Sequence, residues 1–214
     1  MCDVMVETIK LLHISEKNLS SRVTLENWEE VDSTVANGNS VVIFMGHYGN
    51  WEWAQEMGRY MTDTVYRGSI YHEMRSEIWE RLFCKIRSRW NLTILPQNKT
   101  VRALLDKKHL PWIFAFIADQ RPRMDNEQYH TRFLNHDTQF IIGPESIGSR
   151  VNARYYYLDI KRPRRGYYNL ILKKLEPSDS EEKYPYTVSF WKEFEKTIRR
   201  DPSLWLWSHN RWRL

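Results

Sequence analysis

His47 and Glu52 stand with four residues between them in Gly46-His47-Tyr48-Gly49-Asn50-Trp51-Glu52, directly after the apolar run Val41-Val42-Ile43-Phe44-Met45. A histidine released by a buried strand, with a carboxylate in the first turn of the next helix, has the parts of a general base and its orienting partner. Residues five apart lie about 140° apart on an ideal helix, so the two side chains meet only if His47 stays in the loop. Glu52 would then reach back to one ring nitrogen and fix the tautomer, leaving the other nitrogen to take a proton from a hydroxyl. The amides around Gly49 and Asn50, at the start of the helix, would offer donors to an oxyanion or a phosphate. A plainer reading stays open on spacing alone: a satisfied strand-end histidine, and a glutamate favoured by the helix dipole.

Other chemistries have less to stand on. No third ligand stands at a metal-binding spacing near His47. Gly143-Pro144-Glu145-Ser146-Ile147-Gly148 has one residue too many for a nucleophile elbow. There is no P-loop or dinucleotide fingerprint. Cys2 and Cys84 form neither a disulfide framework nor a metal motif, which fits a reducing compartment. The start Met1-Cys2-Asp3 lacks a signal peptide's charged and apolar regions. Without secretion, the acceptor-like triplets at Asn18, Asn91 and Asn98 are chance matches.

The elements around these residues alternate. Val4, Met5, Thr8, Ile9, Leu11 and Leu12 recur at helical spacing, so residues 1–24 open with an amphipathic helix, suited to the core or to a membrane surface. After the turn Ala36-Asn37-Gly38-Asn39, Ser40 to Met45 reads as a buried strand, and Asn50 caps a helix to about Met61. Thr64 to Arg67 reads as a strand, Glu73 to Arg89 as a helix, Leu92 to Leu95 as a strand, Lys99 to Lys107 as a helix, and Pro111 to Ala118 as a core strand ending in Asp119-Gln120. A helix opens over Ile142 to Ser149. Strands Ala153 to Lys161 and Tyr168 to Leu175 follow, and a last helix spans Thr187 to Arg199. This pace predicts one α/β domain over residues 1–214, a central mixed sheet with helices on both faces. His47, Arg67 and Asp119 each follow a strand, where such sheets place their ligand crevice.

The chain has 214 residues, a net charge of +5 and a pI near 9.1, which suits an anionic partner. A mean hydropathy of −0.65, without any apolar run near the roughly 18 residues of a spanning helix, argues against a membrane crossing. A basic, aromatic-rich nucleic-acid-binding module is the competing non-enzymatic reading, but no such signature is present and it leaves His47 and Glu52 unexplained.

The ordered blocks resemble the lipid A biosynthesis (late) acyltransferase family, within the lysophospholipid acyltransferase group marked by His, four residues, then Asp or Glu. Phe44 to Glu52 is similar to the family's catalytic block, Val65-Tyr66-Arg67 to its second block, and Arg87-Ser88-Arg89 to the arginines that follow. Ala118-Asp119-Gln120-Arg121-Pro122 resembles the Asp-Gln-x-Pro block, with Arg132 to Asn135 and Gly143-Pro144-Glu145 after it. The stretch Asp201 to Trp212 resembles the closing Pro-x-x-Trp-x-Trp-x-His-x-Arg-Trp signature. Two departures stand out: Gly68 replaces the usual Pro, and Glu80 an expected Asp.

The resemblance implies transfer of a fatty acyl group from an acyl-carrier-protein thioester to a hydroxyl of a lipid A precursor, with His47 and Glu52 catalytic. A lysophospholipid or aminolipid is the alternative acceptor. No metal or bound cofactor is expected, since the donor carries its own phosphopantetheine. Gly49, Asn50, Tyr66, Arg67, Arg87, Arg89, Asp119 and Gln120 are expected to bind substrate, the arginines by gripping phosphate or carboxylate. Trp205, Trp207 and Trp212, clustered with His209, Arg211 and Arg213, suit a membrane interface by their residue types, with core packing of some of these tryptophans the equal alternative. The expected partners are acyl-carrier protein, a phosphorylated glycolipid and a membrane surface, not nucleic acid. The expected location is the cytoplasmic face of an inner membrane, the chain starting about where the family's anchor helix ends.

Overall fold

Val41 to Met45 carries no polar residue because it is covered on both faces. The computed structural model describes residues 2–61, 65–71, 73, 76–122, 129–179, 181–209 and 211–212. Its strands are β1 (Val23–Glu26), β2 (Val41–Met45), β3 (Tyr66–Tyr71), β4 (Thr93–Pro96), β5 (Trp112–Ile117), β6 (Tyr129–Phe133), β7 (His136–Phe140), β8 (Arg154–Arg164) and β9 (Tyr167–Lys174). Seven of them form one sheet in the order β1-β9-β8-β2-β5-β3-β4, and β6 pairs with β7 in a separate hairpin. Neighbours in the sheet are parallel except β8 and β9, so the sheet is mixed. The helices are α1 (Cys2–Lys10), α2 (Glu16–Ser20), α3 (Trp28–Ala36), α4 (Glu77–Arg87), α5 (Gln97–Asp106), α6 (Gly143–Ser149) and α7 (Pro185–Arg200).

The order of strands in space matters more to the site than the order in sequence. β5 lies between β2 and β3, with Met45 opposite Ile117, and the Ala118 amide donates to the Met45 carbonyl at 2.9 Å. The exits of β2 and β5 are therefore side by side, and His47 and Asp119, each two residues past its strand, face one another. Along β2, Phe44 stacks on Phe190 of α7 at 5.1 Å, and Phe194 and Trp191 complete that aromatic layer. A Cβ on Gly46 would lie 2.2 Å from the Phe194 ring, so glycine lets α7 close over the end of β2. Gly68, the departure from the family's Pro, is required in this sheet: a Cβ there would lie 1.7 Å from the Thr93 carbonyl oxygen of β4.

Several expectations shift. The helix after Asn50 is a 3-10 helix, Trp51–Arg59, though Asn50 does cap it by accepting from the Trp53 amide at 3.2 Å. The strand expected from Thr64 begins at Tyr66, and Thr64 itself lies outside the described residues. The helix expected from Glu73 starts at Glu77. α1 forms as expected but presents its polar side to the protein. Glu7 and Thr8 are buried while Met5, Val6 and Ile9 are each more than half exposed. Glu7 accepts hydrogen bonds from Asn50 Nδ2 (2.7 Å) and the Tyr168 hydroxyl (2.8 Å), and its carbonyl accepts from Trp53 Nε1. Among the described residues no helix is long and apolar enough to cross a membrane.

Candidate active site

Asp119, not Glu52, holds the His47 ring. His47 Nδ1 lies 2.7 Å from Asp119 Oδ1, and the His47 amide donates to Asp119 Oδ2 at 3.0 Å. The physical reason is the strand order: the neighbouring exits of β2 and β5 bring Asp119 to His47. Asp119 is fully buried, which alone would raise its carboxyl. Hydrogen bonds from the His47 ring, Trp205 Nε1 (3.0 Å) and the His47 amide outweigh burial and hold it below the usual carboxylate range. An ionised Asp119 fixes the proton of His47 on Nδ1 and leaves the Nε2 lone pair available. The Gln120 side-chain amide stands 3.4 Å from that Nε2, and the Trp51 ring meets the imidazole edge-on at 5.1 Å.

Glu52 is held elsewhere. Arg87 grips its carboxylate with both Nε (3.0 Å) and Nη2, and Gln55 Nε2 adds a third hydrogen bond at 3.2 Å. The expected contact between Glu52 and a His47 ring nitrogen is thus corrected. Its carboxylate, in the first turn of the 3-10 helix, closes instead on the guanidinium from the end of α4.

His47, Glu52, Arg87 and Gln120 all line one cavity of about 630 Å³. Most of its wall is apolar, including Ile43 and Met45 of β2, Ile113 and Ala115 of β5, Met57 and Leu92. Its volume and apolar lining suit a hydrocarbon chain, and the His47 imidazole forms part of that lining. Among the described residues no group of three His, Cys, Asp or Glu side chains could hold a metal ion.

The stretch read as a membrane contact is the buttress of this site. Trp205 is buried, 8% exposed, and its indole N–H is the third donor to the Asp119 carboxylate. Leu206 N donates to the His47 carbonyl at 3.0 Å, Gly49 N to the Leu204 carbonyl at 2.9 Å, and Tyr48 bridges to Trp205. Arg211 Nη1 donates to the Asp119 carbonyl and Nη2 to the Gln139 carbonyl. Its charge lies over the Trp191 ring, and burial brings it down to about 10. Trp212, half-buried, packs on Phe133 and donates to Thr138, the packing alternative for this residue. Of the three tryptophans only Trp207 stays exposed, at 52%. Arg213 lies outside the described residues.

The remaining substrate-binding expectations separate. Asp119 and Gln120 do meet His47. The Gly49 amide is taken by Leu204, and Asn50 is a buried cap bound to Glu7, so neither faces the cavity. Tyr66 packs on Phe114 under Lys107, away from the cavity. Arg67 is buried and donates to the Met61 carbonyl at 2.8 Å. Arg89 donates to the Leu11 and Ile14 carbonyls, fastening the segment after α1. Arg67 and Arg89 are thus main-chain ties, and Arg87 alone of the expected arginines reaches the cavity. The supporting roles of Trp205 and Arg211 were missed because nothing local in the sequence links them to a strand exit more than 80 residues earlier.

A family profile described as bacterial lipid A biosynthesis acyltransferase matches residues 1–214, the whole chain. Comparison with curated proteins returned no match.

Proposed function

Because the chain belongs to the bacterial lipid A biosynthesis acyltransferase family, we propose that it moves a fatty acyl chain from an acyl-carrier-protein thioester to a hydroxyl of a phosphorylated lipid A precursor, at the cytoplasmic face of an inner membrane. The observation that carries the mechanism is the 2.7 Å contact between His47 Nδ1 and Asp119, with His47 in the lining of a largely apolar cavity. His47 Nε2 takes the proton of the acceptor hydroxyl as its oxygen attacks the thioester carbonyl. The new C–O bond forms, the tetrahedral adduct collapses, and the C–S bond breaks. The thiolate leaves on the phosphopantetheine arm and recovers the proton from the imidazolium. Asp119 keeps its charge throughout and stabilises that imidazolium.

Gln120 Nε2, 3.4 Å from His47 Nε2, donates to the acceptor oxygen when that oxygen comes within reach of the base. The acyl chain lies along Ile43, Met57, Leu92 and Ile113, away from water. Glu52 and Arg87 form a matched polar wall beside it, so neither charge is left alone in the cavity. In this scheme the donor brings the only prosthetic arm.

The test is acyl transfer from labelled acyl-carrier protein to a lipid A precursor in detergent micelles, with the native chain, His47→Ala and Asp119→Asn. Transfer by the native chain, lost in both variants, supports the reading. Undiminished transfer by His47→Ala sinks the assignment of the base. Transfer to lysophospholipid and not to the lipid A precursor moves the acceptor and leaves the mechanism.

A further inference from the structure

The two arginines lining the cavity differ. Arg87 is closed on Glu52. Arg121, two residues past Asp119, is exposed where the cavity opens, and among the described residues it makes no hydrogen bond or ion pair. The nearby carboxylates are already matched: Glu52 by Arg87, and Asp119 by His47 and Trp205. Among the described residues that line the cavity, Arg121 is therefore the cation without a carboxylate partner.

A guanidinium offers a planar fork of donors that fits phosphate oxygens two at a time. The arginines first expected to grip phosphate are tied elsewhere, Arg67 and Arg89 to main-chain carbonyls and Arg87 to a carboxylate. We propose that Arg121 is the phosphate receptor of this site, binding a phosphate group on a substrate that enters beside His47. That phosphate is carried either by the acceptor's sugar or by the pantetheine arm of the donor. The naming of these two carriers rests on the acyltransferase reading; the recognition of phosphate does not.

The test compares the native chain with Arg121→Gln, an exposed position where folding is checked by an unchanged melting temperature. Donors are acyl-carrier-protein thioester and an acyl-pantetheine thioester without phosphate; acceptors are the lipid A precursor with and without its phosphates. Arg121→Gln raises KM about tenfold or more for one phosphate-bearing substrate and leaves kcat within about twofold, as expected for loss of a charge-assisted hydrogen bond. A rise for the phosphorylated acceptor alone assigns the receptor to the acceptor, and a rise for the carrier-protein donor alone assigns it to the pantetheine arm. Unchanged KM values for both overturn the proposal.

Calorimetric binding of phosphopantetheine and of glucosamine 1-phosphate needs no turnover. Weaker binding of either by Arg121→Gln than by the native chain upholds phosphate recognition even if no acyl transfer is found, and equal binding of both by the two proteins overturns it.

Discussion

Two carboxylates border the same cavity and are used differently. Asp119 is fully buried behind His47 and receives three hydrogen bonds, two of them from His47 itself. Glu52 sits in the wall and is closed on a single cation, Arg87, with Gln55 beside it. The first arrangement supports a proton transfer, because it fixes a tautomer and leaves Nε2 open. The second neutralises charge in a largely apolar wall. Chain spacing pairs His47 with Glu52; the order of strands in the sheet pairs it with Asp119.

The largest expected effect is that of His47→Ala, which removes the base and lowers kcat by about 10³-fold. Next is Asp119→Asn, expected to lower kcat by about 10²-fold through the wrong tautomer. An Asp119→Asn variant that keeps more activity than Glu52→Gln would reverse the roles given to the two carboxylates. Glu52→Gln is expected to cost about tenfold, because it leaves Arg87 unmatched in an apolar wall. In the double variant Glu52→Gln/Arg87→Met much of that activity returns. A double variant no better than Glu52→Gln would make Glu52 a participant in the chemistry.

A smaller effect tests the buttress. Trp205→Phe keeps a ring against Phe133 but removes the N–H donated to Asp119, and is expected to lower kcat by about three- to tenfold, near 1 kcal/mol. The smallest is a pH effect on stability. Asp119 has a lowered carboxyl, so its ionised form stabilises the folded chain above the ordinary carboxylate range near about 4. That contribution is lost as pH falls through its lower folded value. Acid unfolding should therefore show native chain and Asp119→Asn converging below about pH 4, having differed at neutral pH.

The sheet's centre was legible in the sequence, because β2 and β5 are covered on both faces and read as unbroken apolar runs. β1 was missed as a four-residue edge strand, and β6 and β7 because Tyr-His-Thr-Arg-Phe and His-Asp-Thr-Gln-Phe are polar enough to pass for loop. The period of α1 shows that it has two faces and not which one is buried, since Glu7 goes inward only because Asn50, Trp53 and Tyr168 await it there. His47 and Asp119 were each legible as polar residues leaving a strand. Their pairing was not, because it depends on β5 slipping between β2 and β3. The tryptophans of the Asp201 to Trp212 stretch misled for a related reason: composition alone does not separate an interfacial ring from one packed across a strand end.

The tie between that stretch and the strand exits also sets an order in time. As the chain leaves the ribosome, His47 emerges first and Asp119 later, but the donors that hold Asp119 in place, Trp205 and Arg211, follow only 86 and 92 residues after it. A nascent chain can therefore form its central strands well before the His47–Asp119 pair is fastened, which waits until the stretch from Trp205 to Arg211 has been made.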